Sequence, residues 1–197
     1  MKNILPVYEL EIGDDENVGV NCISIVDRPA IEKGWQMFSN QLDKNTNLHF
    51  KVANKERRTI SGAAMVANLP IYRKDNIKGE YFVIFKPETI RKIAERYFKN
   101  RFTSNVNMNH SETMEGIYVF ESFIIDNSRG IKAPIGYDNL PDGSWYVSMK
   151  VEDETIWNNY IKTGVVTGFS VEGTFVETHL GDAEDEAIKK VIEILAK

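Results

Sequence analysis

Residues 79–100, GEYFVIFKPETIRKIAERYFKN, place the clearest strand of the chain directly before its clearest helix. The run YFVIF is continuously apolar and has the length of a buried strand. Pro87 and Glu88 are typical of a helix start. Apolar residues then recur at the helical spacing of three and four positions, at Ile90, Ile93, Ala94, Tyr97 and Phe98. This strand and helix are the reference point for the rest of the fold prediction.

Strand patterns dominate on both sides of this segment. Upstream they are VYELEI (7–12), GVNCISIVD (19–27), LHFKVA (48–53) and TISGAAMVA (59–67). Downstream they are GIYVFESFIID (116–126), SWYVSMKVE (144–152) and GFSVEGTFVET (168–178). A short helix is predicted between an N-cap at Asp153 and a terminator at Gly164. Because strands and helices do not alternate regularly, we expect a β-rich α+β fold, either a barrel or a sandwich, rather than a doubly wound sheet.

The composition argues against several classes of protein. The 197 residues include one cysteine, Cys22, and three histidines that do not cluster, so neither a disulfide framework nor a metal site is expected. The net charge of −5 comes with no basic stripe, which disfavours nucleic acid as a partner. No apolar run approaches the ~18 residues of a membrane span, and the first residues lack a signal-peptide pattern. We expect a soluble, cytoplasmic protein without membrane contact or cofactor.

A polar loop, NVNMNHSETMEG at 105–116, places His110 before a predicted strand. A histidine at the mouth of a strand can act as a general base, because its free pKa lies near neutrality. A surface histidine without a role is the alternative.

A second segment, GVVTGFSVEG at 164–173, places Ser170 between two glycines at the start of a strand. Glycines allow close approach of the backbone, and free backbone N–H groups can stabilise an oxyanion. The segment is not the G-x-S-x-G nucleophile elbow, because Glu172 stands two positions after the serine. An ordinary strand serine is the alternative.

The run from about Thr59 to Phe175 resembles the phage prohead (capsid maturation) serine proteases of the XkdF-like group. The matching pieces, in order, are TISGAAMVANLPIYR, GEYFVIFKPETIRKIAERYFKN, NVNMNH, ESFIID, GSWYVSMKVEDETIWNNYIKTG and GFSVEG. The upstream phrase ISIVDRPAIEKGW is also similar to the segment before the protease region in that group. The resemblance implies a fold like that of the herpesvirus assemblin proteases, a small β-barrel surrounded by helices.

The resemblance implies that His110 is the catalytic histidine and Ser170 the nucleophile. A histidine can take the proton of the serine, and the attacked carbonyl then needs aimed N–H donors. The third member of the triad stays open. Glu172 shares a strand face with Ser170, with about 7 Å between their Cβ atoms. Glu121 can reach the imidazole from a neighbouring strand. These two glutamates rank equally, with His179 and Asp182 behind them.

The resemblance implies a serine endopeptidase that processes scaffold protein, major capsid protein and itself inside the procapsid in the host cytoplasm. It also favours a homodimer. The expected divisions are N-terminal strands and a linker, a candidate pro-segment, at 1–47; a protease β-barrel domain at 48–180; and an amphipathic helix at 181–197. Two alternatives stay open: a catalytically silent, scaffold-like or capsid-associated domain on the same fold, and an unrelated ligand-binding barrel.

Overall fold

A computed structural model describes residues 5–13, 15, 18–29, 49–180 and 188. Twelve strands account for most of these residues. They are β1 (Val7–Glu11), β2 (Gly19–Val26), β3 (Lys51–Asn54), β4 (Thr59–Met65), β5 (Ile71–Asp75), β6 (Gly79–Ile84), β7 (Val106–Met108), β8 (Glu112–Thr113), β9 (Ile117–Ile124), β10 (Trp145–Val151), β11 (Gly168–Thr174) and β12 (Val176–His179). Helix α1 spans Pro87–Lys99, and helix α2 spans Glu154–Ile156 and continues as a π-helical turn, Trp157–Ile161. Short 3₁₀ turns occupy Phe102–Ser104 and Asn127–Arg129. The β-rich α+β class is as predicted.

The strands form three four-stranded sheets, in the orders β12-β1-β6-β5, β3-β4-β10-β9 and β11-β2-β7-β8. All neighbouring strands are antiparallel except β1 with β6 and β2 with β7. The closed barrel that we expected is not formed by the described residues. Closure requires two hydrogen-bonded neighbours for every strand, whereas each sheet here ends in two edge strands. An isolated bridge between His49 and Gly168 links the chain just before β3 to the start of β11.

Helix α1 begins and packs as its sequence pattern predicts. Pro87 occupies the first turn, and Ile90, Ile93 and Tyr97 have no exposed surface. The ring of Tyr97 meets that of Trp145 of β10 edge-on, with 5.3 Å between centroids. Phe98, which the helical spacing also assigned to the apolar face, is instead 40% exposed.

The same helix fixes the connection between β1 and β2. The guanidinium of Arg96 donates hydrogen bonds to the backbone carbonyls of Gly13, Asp15 and Val18. Because β2 is an inner strand of the sheet β11-β2-β7-β8, this anchoring also helps to position the strand on which the candidate site is built.

Two glycines let neighbouring segments lie close to β11. A Cβ at Gly173 would lie 2.1 Å from the backbone oxygen of Gly19, and a Cβ at Gly168 would lie 2.1 Å from Cγ of Pro29. No larger residue fits at either position without moving β2 or Pro29. The two ends of the segment GFSVEG therefore lie against Gly19, where β2 begins, and Pro29, three residues after β2 ends.

The predicted short helix is present, with its N-cap at Asp153 accepting a hydrogen bond of 2.8 Å from the Ile156 N–H. Gly164 follows it at a φ of 70°, the left-handed conformation expected of a terminator. Of the predicted linker, residues 30–47 lie outside the described residues, and so does the C-terminal helix at 181–197 apart from Ile188. No helix in the described ranges is long and apolar enough to cross a membrane.

Candidate active site

His110 lies at the tip of a tight hairpin between β7 and β8. The N–H of Ser111 donates to the carbonyl of Met108 at 3.0 Å, and Asn109 and His110, the two central residues, have φ values of 48° and 61°. Positive φ at both central positions is the pattern of a type I′ turn, which favours glycine at the position of His110. A histidine held in this conformation costs backbone energy, and such strain is common at functional sites.

The imidazole of His110 meets a carboxylate from β11 and a hydroxyl from β2. Its Nδ1 lies 2.9 Å from Oε1 of Glu172 and 3.1 Å from Oγ of Ser24. Because a carboxylate only accepts hydrogen bonds, Nδ1 carries the proton in the contact with Glu172. In the neutral imidazole Nε2 is then unprotonated, and it is the nitrogen that can accept a proton.

Two further donors hold the carboxylate of Glu172. The hydroxyl of Ser24 donates to Oε1 at 2.6 Å, and the side-chain amide of Asn107 donates to the same oxygen. Partial burial by itself raises the pKa of Glu172, but the hydrogen bonds from Ser24, Asn107 and His110 outweigh it and lower the pKa below its usual value. Glu172 is therefore ionised at neutral pH and can stabilise a protonated imidazole.

The sheet register explains why Ser24, Asn107, Glu172 and His110 meet. Ser24 of β2 stands opposite both Asn107 of β7 and Ser170 of β11. Directly opposed residues share a face of the sheet, with Cβ atoms about 5 Å apart. Glu172 is two residues along the same strand from Ser170 and therefore shares that face. His110 follows β7 by two residues and covers the group.

Ser170 belongs to this group by position. It is buried, with 7% of its surface exposed, and it lines a cavity at the outer edge of β11. Ser24 has no exposed surface, whereas the side chain of His110 is 43% exposed. Within the described residues no hydrogen bond joins Ser170 to His110. Of the two serines, Ser170 is the one in contact with a cavity.

The other residues considered for the third position lie elsewhere. Glu121 of β9 accepts a hydrogen bond of 2.6 Å from Ser148 of β10, in a different sheet from His110. His179 ends β12 opposite Tyr8, and its Nδ1 bonds the Leu180 carbonyl oxygen at 2.7 Å. Asp182 lies outside the described residues. Of the two equally ranked glutamates, the structure brings Glu172 to His110.

Ser24 and Asn107 were missed by the sequence analysis. Strand alternation in GVNCISIVD places Cys22 and Ser24 on the face opposite to Ile23 and Ile25, which is a signal that could have drawn attention to Ser24. The amide of Asn107 precedes His110 by three residues in the quoted NVNMNH motif. The hydrogen bond from Asn107 to Glu172 depends on the register of β7 against β2, and no local sequence pattern reveals that register.

Cys22 lies opposite Glu172 and near the site but is a poor nucleophile. Burial, and then the negative charge of Glu172, raise the pKa of its thiol to about 11, so the thiol stays protonated at neutral pH. In the ranges that the structure describes, no group of three or more histidine, cysteine, aspartate or glutamate residues could hold a metal ion.

A model of a known protein family matches most of the chain. The family model described as "Putative phage serine protease XkdF" matches residues 48–178, which include β3 to β11, His110, Ser170 and Glu172. No curated protein and no solved structure matches the chain. Ser24 lies outside the matched range.

Proposed function

The chain belongs to the XkdF phage protease family, and on this premise we propose that it is a serine endopeptidase. Its substrates are the scaffold protein, the major capsid protein and the protease itself, and it acts during maturation of the phage procapsid in the host cytoplasm. The proposed enzyme needs no cofactor, nucleic acid or membrane, and its fold is a variant of the assemblin fold.

The proposed chemistry assigns one role to each member of the site. Nε2 of His110 accepts the proton of Ser170 Oγ while that oxygen attacks the carbonyl carbon of the substrate peptide bond. Glu172 keeps the proton on Nδ1 and stabilises the imidazolium that forms. His110 then returns its proton to the leaving amine, and a water molecule hydrolyses the acyl-enzyme by the same route.

The observation that carries this proposal is the contact between Glu172 and Nδ1 of His110 at 2.9 Å. This contact leaves Nε2 available as the base. Glu172 also shares the strand face of Ser170, because the two residues are two positions apart on β11. Ser24 is a poorer candidate for the nucleophile, since it is fully buried and its hydroxyl already donates to Glu172.

Co-expression with the scaffold and major capsid proteins of the same phage tests the proposal. The wild-type chain is expected to process both proteins, and Ser170→Ala is expected to abolish processing while the protein remains folded. The Ser111→Ala variant, which changes an exposed hydroxyl in the His110 turn, is the matched control and is expected to process normally. Normal processing by Ser170→Ala would overturn the assignment.

A catalytically silent capsid-associated domain is the second candidate, and one observation favours it. In the described residues no hydrogen bond joins Ser170 to His110, so the base is not hydrogen-bonded to the nucleophile. Catalytic hydrogen bonds often tighten only when substrate is bound. Failure of a fluorophosphonate to label the well-folded protein would favour the silent domain, because such probes react with activated serines.

A further inference from the structure

A small cavity lies beside Ser170 at the outer edge of β11. It encloses about 40 Å³. Its walls are mainly apolar side chains of β4, β5 and β11 and of the residues that directly follow β4, β6 and β11: Met65, Ile71, Phe169, Val66, Phe85 and Phe175. A cavity of ~10–15 Å³ on this scale holds one water molecule, so this cavity has room for a short side chain.

The cavity borders an edge that a peptide can pair with. β11 is the last strand of its sheet, and within the described residues β2 is the one named strand that is hydrogen-bonded to it. β4 passes close to β11 without pairing with it. The bridge from His49 pairs with Gly168, the first residue of β11. Beyond Gly168, no strand in the described ranges pairs with this edge. Extended peptides commonly bind to such an edge by adding a strand, with alternate side chains entering pockets.

The lining contains one charged residue, Arg73 of β5. It is exposed and lies two residues after buried Ile71, on the same strand face. The guanidinium of Arg73 is therefore next to the apolar residues that line the cavity. Within residues 49–180, Arg73 has no hydrogen-bonded or ion-paired partner. Partial desolvation lowers the pKa of the guanidinium, whereas Tyr81 and then Glu177 act to raise it; Glu177 is itself bound by Lys78 and Tyr81.

We propose that this cavity receives the substrate side chain next to the scissile bond and that Arg73 selects a carboxylate there. This inference rests on the proposed function and adds its substrate class, peptides cut beside aspartate or glutamate. One or two methylene groups fit the apolar walls, and the carboxylate can form a bidentate contact with the guanidinium.

Cleavage of a proteome-derived peptide library, read by mass spectrometry, tests the preference. The wild-type protein is expected to cut beside acidic residues, and Arg73→Ala to lose about 10- to 100-fold on those sites, the size of a lost charge-assisted hydrogen bond. Arg73→Glu is expected to favour lysine and arginine instead. Lys74→Ala is the matched control, because Lys74 lies on the other face of β5 and pairs with Glu80. Equal cutting at acidic and neutral sites by the wild type would overturn the proposal.

A binding measurement separates this proposal from the proposed catalysis. Ser170→Ala protein is titrated with two fluorescein-labelled peptide pools of random sequence that carry either glutamate or glutamine at the central position. Tighter binding of the glutamate pool, lost in the Ser170→Ala/Arg73→Ala double variant, supports the pocket even if the wild-type chain cleaves nothing. Equal binding of both pools overturns the pocket assignment, whether or not the wild type is a protease.

Discussion

Oε1 of Glu172 lies 2.9 Å from Nδ1 of His110, although the two residues are 62 positions apart in the chain. The contact exists because β11 and β7 pair with opposite edges of β2, which brings the serine strand and the histidine turn to one face of a sheet. The candidate site is therefore a property of the sheet β11-β2-β7-β8.

Replacing the carboxylate at His110 tests which glutamate completes the site. Glu172→Gln is expected to reduce kcat/KM for a cleaved peptide by a factor on the order of 10² to 10⁴, because the amide no longer favours the proton on Nδ1. Glu121→Gln is the matched control. It is expected to leave kcat/KM unchanged, since Glu121 bonds Ser148 in another sheet. The reverse result would move the acidic role to Glu121.

The hydrogen bonds to Glu172 predict a pH dependence of stability. Since they lower its pKa in the folded protein below the usual value of 4.5, the folded state binds this proton less readily than the unfolded state. The stabilisation is then fully present above pH 4.5 and is lost as the pH falls through the lowered, folded pKa. Thermal unfolding between pH 3 and 7 is expected to show a steeper loss in the wild type than in Glu172→Gln. Parallel curves would contradict the hydrogen-bonding scheme.

The donors to Glu172 can be tested directly by carboxyl NMR titration. Ser24→Ala and Asn107→Ala each remove one hydrogen bond to Oε1, so each is expected to raise the pKa of Glu172 towards its usual value. Ser111→Ala is the control. The Ser111 hydroxyl lies in the turn that holds His110 but donates to the Met108 carbonyl, so this variant is expected to leave the pKa of Glu172 unchanged. An unchanged pKa in both donor variants would show that Ser24 and Asn107 do not position the acid.

The left-handed backbone conformation of His110 predicts that a histidine at this position lowers the stability of the folded protein. Both His110→Gly and His110→Ala remove the imidazole, and both are expected to abolish cleavage. Because His110 has a φ of 61°, the glycine variant is expected to be more stable than the alanine variant by about 1 kcal/mol. Urea unfolding of the two variants measures this difference. A more stable alanine variant would mean that residue 110 is not held in the left-handed region.

The close approach at Gly173 predicts a large packing penalty. Gly173→Ala would push a methyl group against the Gly19 carbonyl and is expected to lower the free energy of unfolding by about 1–3 kcal/mol or more. Gly13→Ala is the control, since nothing lies within 4 Å of its added Cβ, and it is expected to change stability by no more than about 0.5 kcal/mol. Equal stabilities would argue against the register of β11 on β2.

Much of the fold could be predicted because its signals are local. Periodicity located α1, and strand alternation located most strands, since both depend on residues a few positions apart. The arrangement into three sheets could not be predicted in this way, because β1 pairs with β6 and β12, and β2 with β7 and β11, across long stretches of sequence. The predicted barrel was wrong for the described residues for that reason.

The residues of the candidate site also fall into those with a local sequence signal and those that depend on long-range strand pairing. His110 and Ser170 stand in distinctive local sequence, whereas the choice between Glu172 and Glu121 depends on which strand faces the histidine turn. Ser24 contributes through the pairing of β2 with two other strands, and its own segment carries no catalytic motif. Long-range register is therefore the information that the sequence pattern lacks.

Labelling of the purified chain with a fluorophosphonate, followed by peptide mass spectrometry, tests the central claim most directly. We predict a single adduct on Ser170, its absence in Ser170→Ala and His110→Ala, and strong reduction in Glu172→Gln. An adduct on Ser24, or equal labelling of Ser170 with and without His110, would contradict the account.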